Sequence, residues 1–176
     1  MLFILSPSKT LDFTSPYSLP DNGDPALIQA TRKLVNQLKK MKPAELEQLM
    51  KISPRLAWEN ADRYANWHFP FDSAAARPAF AAYKGEVFEG LRGWELDKHG
   101  MEYANRHVRI LSGLYGVLKP GNNILPYRLE MGTALSGKNF TNLYGYWTGE
   151  ITKKLDQAFK ELKTRAAIAL WNIQKM

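Results

Sequence analysis

Residues 106–132 read RHVRILSGLYGVLKPGNNILPYRLEMG, and the breaks within this stretch organise the rest of the chain. An apolar run, Val108 to Leu111, stops at Ser112-Gly113, and a second, Leu114 to Leu118 around Gly116, stops at Lys119-Pro120. After Gly121-Asn122-Asn123 the chain turns again at Pro126 and reaches Tyr127-Arg128-Leu129-Glu130-Met131-Gly132. Glycines permit a positive φ or a close approach of two backbones, and prolines fix where an element stops. Core sequence rarely needs so many backbone specialists beside Arg106, Arg109, Lys119 and Arg128. A functional loop is expected here, with a structural corner as the alternative.

The 176 residues suit one domain, and 45% apolar with 12% aromatic residues suffices for a core. No window approaches the roughly 18–20 apolar residues that cross a bilayer, so no membrane partner is expected. The N-terminal MLFILSP lacks a basic leader and a long apolar segment, which makes the cytoplasm the default location. The absence of cysteine removes disulfides and thiolate metal sites. A net charge of +7 and a pI near 9.5 turn attention to an anionic partner. The cations gather in three groups. Arg32, Lys33, Lys39, Lys40 and Lys42 lead into Lys51 and Arg55; Arg106, Arg109, Lys119 and Arg128 follow; Lys153, Lys154, Lys160, Lys163 and Arg165 come last. The third reads as a solvated helix face, whereas only Glu102 and Glu130 flank the second.

Leu2-Phe3-Ile4-Leu5 reads as a buried strand that delivers Ser6-Pro7-Ser8-Lys9-Thr10 into a turn. Lys9 would supply a point charge, the Ser8 and Thr10 hydroxyls could bind an oxyanion, and Asp12 stands ready to pair with Lys9. The glycines of a P-loop are missing. Residues 14–24 form a polar loop, and Asp24-Pro25 reads as the N-cap and first residue of a helix with Leu27, Ile28, Leu34, Val35 and Leu38 on one face. Residues 43–67 then read as a helix over 44–50, a break at Lys51-Ile52-Ser53-Pro54-Arg55, and a helix over 56–64. That is the layout of a helix-hairpin-helix module, whose hairpin N–H groups and second helix N-terminus face phosphate. Leu46, Leu49, Ile52 and Ala57 match its apolar positions, and Lys51 and Ser53 stand where its glycines usually do. The alternative is an ordinary helical hairpin.

Trp67, His68, Phe69 and Phe71 are expected to cap the core. A strand ends near Tyr83, with Lys84 and Glu86 lining a polar pocket or paired across a turn. Residues 97–106 read as a polar helix, 143–163 as a longer one, and 166–171 as another buried strand. His68, His99 and His107 make no metal-ligand pattern, and neither a nucleophile elbow nor a dinucleotide fingerprint is present. No metal and no cofactor are expected.

The runs ILSPSKTLDF (4–13), LMKIS (49–53), YKGEVFEGL (83–91), RILSGLYGVLKP (109–120) and PYRLEMG (126–132), with Leu143-Tyr144 and Trp147, resemble the YaaA family (DUF328) of bacterial peroxide-stress-resistance proteins. The resemblance implies one α/β (mixed α+β) domain over residues 1–176, with a helix-hairpin-helix-like element at about 43–67. It also implies a cytoplasmic protein that limits free intracellular iron under hydrogen peroxide and binds DNA through a basic cleft. No catalytic residues come with it. The family-like sequence fades near Ala167 and residues 170–176 do not fit, so the chain reads as truncated or frame-shifted, without C-terminal strands and with apolar faces left open.

Two functions compete. A monomeric stress protein acting on double-stranded or structured DNA would use Lys51, Ser53 and Arg55 at the hairpin, with Arg106, Arg109 and Arg128 along a cleft. An enzyme acting on a small anionic molecule would gather Ser8, Lys9, Thr10, Lys84, Tyr115, Tyr127, Arg128 and Glu130 in one pocket. There Arg128 would clamp a carboxylate or phosphate while Tyr127 or Glu130 moved a proton. Direct iron binding would need carboxylates and histidines to converge, of which the sequence gives little sign.

Overall fold

The computed structural model describes residues 1–19, 23–164 and 166–170. The apolar run at the start forms β1 (Leu2–Leu5), followed by β2 (Thr10–Leu11) and then by α1 (Ile28–Leu38), α2 (Pro43–Met50) and α3 (Pro54–Asn66). The middle of the chain supplies β3 (Arg77–Pro78), α4 (Ala79–Ala82), β4 (Tyr83–Lys84), α5 (Glu86–Leu91) and α6 (Lys98–His107). The stretch 106–132 yields β5 (Val108–Ser112), β6 (Gly116–Leu118) and β7 (Asn123–Ile124), and α7 (Leu143–Glu161) and β8 (Ala167–Leu170) follow, with a short 3-10 turn at Gly93–Glu95 ahead of α6.

The main sheet has the order β6-β5-β1-β8. β1 pairs in parallel with β5, Leu5 opposite Ile110, and with β8, Leu2 opposite Ala167, while β6 returns antiparallel along β5. Two short antiparallel pairs, β2–β4 and β3–β7, tie the central segments to the chain ahead of α1 and to the 106–132 stretch. The fold is the mixed α/β one expected.

Local chemistry explains most of the helices. In α1, Thr31, Leu34, Val35 and Leu38 are buried while Arg32 and Lys33 face solvent, the pattern of an amphipathic surface helix. Its start differs from the expected Asp24 cap. The Asp24 carbonyl instead accepts from Asn122 Nδ2 at 3.0 Å, the Ile28 N–H bonds to the Pro25 carbonyl in a turn, and Leu27 becomes the flanking residue. α2 begins at Pro43, with Glu45 Oε2 accepting the Lys42 N–H at 2.6 Å. α6 and α7 are capped by Asp97 and Asn142, whose side chains accept the N–H groups of Gly100 and Gly145.

The aromatic cluster caps the core as expected. Trp67 is buried and Phe71 meets both Trp67 and Phe69 edge-on, whereas His68 stays exposed. β8 is a strand but not the buried one expected. Residues 167–169 are exposed because β8 sits at the sheet edge and pairs only with β1 among the described residues. Residues 20–22 of the polar loop, Arg165 of the third basic group, and Trp171 with the rest of the chain end lie outside the described residues.

Candidate functional site

β1 and β5 run side by side in parallel, and the chain leaves both at the same end of the sheet. Ligands of parallel sheets bind outside the carboxyl ends of the strands. A cleft of about 580 Å³ opens there, between the segment 6–9 that follows β1, Leu111 of β5, the segment 127–132, and a face of α7 that includes Trp147, Thr148 and Ile151. Two glycines let these pieces close together. A Cβ on Gly113 would lie 2.3 Å from the Leu129 carbonyl oxygen, so the turn after β5 presses against the backbone of the 127–132 wall. Gly116 has φ +70° and faces the Trp147 ring, which a Cβ there would meet at 2.8 Å.

Charge concentrates at one end of the cleft. Lys9 Nζ stands 3.2 Å from Glu130 Oε2, and Arg128 Nη2 stands 3.3 Å from Glu130 Oε1. Two cations thus share one carboxylate, and the Arg128 Nε is a buried donor without a partner among the described residues. Ser8 Oγ accepts the Thr10 N–H at 3.1 Å, and the Arg128 carbonyl accepts from the Tyr64 hydroxyl.

Behind this end lies a buried hydroxyl chain. Ser112 Oγ accepts the N–H groups of Leu114 at 3.2 Å and Tyr115 at 3.0 Å, which engages both its lone pairs. Its own proton is therefore donated to the Tyr127 oxygen, 2.6 Å away, and that oxygen also meets the Tyr83 hydroxyl at 2.6 Å. Burial pushes the Tyr127 phenol up to about 12, with the Ser112 and Tyr83 hydrogen bonds opposing it, so Tyr127 is neutral at pH 7. Replacing Tyr127 by phenylalanine strands the Ser112 donor and the Tyr83 hydroxyl. We expect a loss of about 1–3 kcal/mol in urea unfolding, with an unchanged denaturant slope.

Of the pocket expected from sequence, Ser8, Lys9, Tyr127, Arg128 and Glu130 meet in this cleft. Thr10, Lys84 and Tyr115 do not line it. Thr10 pairs with Lys84 across β2 and β4, and Lys84 Nζ turns to Asp12 Oδ2 at 2.9 Å. Asp12 also faces Arg77 at 3.6 Å, so it is committed there and leaves Lys9 to Glu130. Tyr115 is buried, its oxygen accepting from Trp67 Nε1 at 3.1 Å and from the Leu125 N–H at 3.0 Å.

The arginines expected along one cleft are dispersed. Arg128 lines the large cleft, and Arg106 is exposed on the last turn of α6. Arg109 is only 5% exposed and donates through Nη1 to the carbonyls of Asn105 and Val108, beside Lys119, Lys154 and Glu161 in a separate cleft of about 260 Å³. Burial lowers its pKa while the Glu161 charge raises it. A strand flanked on both sides, with α7 across its face, encloses even a long cation.

The other basic feature is the hairpin between α2 and α3, which pack against each other. Lys51 ends α2 in the left-handed region, φ 52° and ψ 51°, the conformation a glycine would take there. Ile52 is half-buried, Ser53 caps α3 by accepting the Leu56 N–H, and Lys51, Ser53 and Arg55 all face solvent. Trp58, 69% exposed, lies one turn beyond Arg55. Sequence reasoning passed over it, although the buried positions Ala57, Asn60 and Tyr64 already place residue 58 off the packed face.

Among the described residues no group of three His, Asp or Glu side chains converges to hold a metal, and no helix is long and apolar enough to cross a membrane. Fold and clefts together define a mixed α/β protein that, among the described residues, presents cations at a cleft at a sheet end, at a smaller cleft beside Arg109 and at a helical hairpin. A family model described as "Peroxide stress protein YaaA" matches residues 1–173, past the point near Ala167 where the sequence resemblance was expected to fade. The chain is 42% identical over 161 residues to a UPF0246 protein of Hahella chejuensis, covering 92% of this chain and 63% of that protein. It is 40% identical over 169 residues to a UPF0246 protein of Burkholderia ambifaria, covering 96% and 64%, and 39% identical over 170 residues to one of Teredinibacter turnerae, covering 97% and 66%. The chain thus spans just under two thirds of the length of these relatives. It belongs to the YaaA peroxide stress protein family.

Proposed function

We propose that the chain serves in resistance to peroxide by binding double-stranded or structured DNA, as a monomer, at the hairpin between α2 and α3. The observation that carries this reading is the left-handed turn at Lys51. It keeps the tight connection that a glycine would normally provide and sets exposed Lys51, Ser53 and Arg55 around the start of α3. At the start of α3 Pro54 has no N–H and Ser53 Oγ takes the Leu56 N–H, so the Arg55 N–H and the positive end of the helix dipole are what suit a phosphate there. Trp58 adds an exposed aromatic face one turn along, where an unpaired base of a structured DNA can stack. The description of the family supplies the setting, peroxide stress. Limitation of free intracellular iron is the cellular effect we assign to it, and it rests on the family resemblance alone.

Charge reversal at the hairpin tests the site. Lys51→Glu/Arg55→Glu should weaken binding of a fluorescent duplex roughly tenfold or more at low salt while leaving thermal unfolding close to wild type, since both side chains are exposed. Unchanged duplex affinity in the folded double variant would remove the hairpin from the interface.

A further inference from the structure

We propose that the cleft at the carboxyl ends of β1 and β5 is a separate binding site for a small aromatic acid, a planar apolar body carrying one carboxylate or phosphate group. A volume of about 580 Å³ falls within the range of small-molecule sites. Its lining is divided in two. Leu129, Met131, Trp147 and Ile151 make an apolar side, and Lys9, Arg128 and Glu130 make a charged end.

The charged end is incompletely paired. The Arg128 guanidinium presents five donors in a planar fork, and among the described residues its one acceptor is Glu130 Oε1 at 3.3 Å, a long contact. Its Nε has no partner among the described residues. Such a fork matches the two oxygens of a carboxylate or phosphate. Glu130 therefore acts as a built-in counter-anion in the cleft, shared between Lys9 and Arg128. An incoming acid head takes its place on Arg128, and the excess of one positive charge among these three residues matches a single anionic head. At the rim, Tyr144 is 61% exposed on α7, which offers a ring to cover the planar body.

This site is not the hairpin. α3 touches the cleft wall through Tyr64, whose hydroxyl donates to the Arg128 carbonyl, and Pro54 at the hairpin end lies roughly 15 Å away along the helix.

Calorimetric titration of the chain with 2-naphthoate and with AMP, against neutral 2-naphthamide, tests the proposal. Binding of either acid is expected, and which one binds tighter separates a carboxylate ligand from a phosphate one. The amide should bind at least about tenfold more weakly, because the head group carries charge-assisted hydrogen bonds. Lys9→Met, at an exposed position, should weaken the acid severalfold without altering duplex affinity, and Arg128→Leu should weaken it about tenfold or more. Glu130→Gln should tighten it, since the competing carboxylate is gone. Circular dichroism and thermal unfolding check that Arg128→Leu is folded; Lys9→Met and Glu130→Gln decide the matter without it. The proposal is overturned if neither acid binds, if acid and amide bind alike, or if Lys9→Met and Glu130→Gln both leave acid affinity unchanged.

Discussion

Replacing Trp147 by alanine is expected to destabilise the fold by about 3–5 kcal/mol, a large share of the stability of a domain this size. The ring is 1% exposed, its Nε1 donates to the Gly113 carbonyl at 2.8 Å, and it packs edge-on against Tyr146. It also covers Gly116, whose missing Cβ leaves room for it. One side chain thus fastens α7 to the turn joining β5 and β6 and shapes the wall of the cleft. Alanine would leave a cavity against the sheet end and an unpaired carbonyl. Urea unfolding measures the loss, and Trp147→Phe, which keeps a six-membered ring but loses the rest of the indole with its N–H, should lose clearly less. Equal losses would contradict a large contribution from packing of the retained ring.

Asp12→Asn should give the second large effect, with a pH signature of its own. Hydrogen bonds from the Ser15 hydroxyl and amide hold the Asp12 carboxyl well below the usual carboxylate range. They outweigh burial, which opposes them, and the Thr14 amide and Lys84 act in the same direction. A depressed folded-state pKa contributes stability that is fully present above the unfolded value, near 3.9, and is lost as pH falls below it toward the folded value. Wild-type stability should therefore decline below about pH 4, and Asp12→Asn should flatten that decline. At pH 7 the substitution should cost roughly 3 kcal/mol, because Arg77, 5% exposed, loses its facing carboxylate and keeps the Ser15 carbonyl. Urea midpoints at pH 7 and pH 3 measure both parts. Parallel pH profiles for wild type and variant would contradict the pairing.

Several elements were legible because local signals were strong. β1 is a short apolar run ended by Ser-Pro, α6 and α7 follow capping side chains, and α2 and α3 are separated by a break with proline on each helix start. Five members of the expected pocket converge because they leave neighbouring parallel strands or lie on the wall that Gly113 admits. The errors came from partners distant in sequence. Lys9 sits three residues from Asp12 but pairs with Glu130, since β2–β4 pairing brings Lys84 to Asp12 first. Tyr115 and Tyr127 come from one stretch, yet the turn held by Ser112 sends Tyr115 into the core beneath Trp67. Arg109 looks like a surface cation until β5 is seen to be flanked on both sides. The exposure of β8 depends on which strands flank it, and an apolar run alone does not encode that.

The salt dependence of duplex affinity tests the placement of DNA at the hairpin most directly. For the wild-type chain, log affinity should fall linearly with log salt, with a slope of roughly −0.9 for each phosphate neutralised. Removing the two hairpin cations in Lys51→Glu/Arg55→Glu should make that slope shallower by about 2, whereas Lys9→Met in the cleft should leave it unchanged. A double variant with the wild-type slope would contradict phosphate contact at the hairpin.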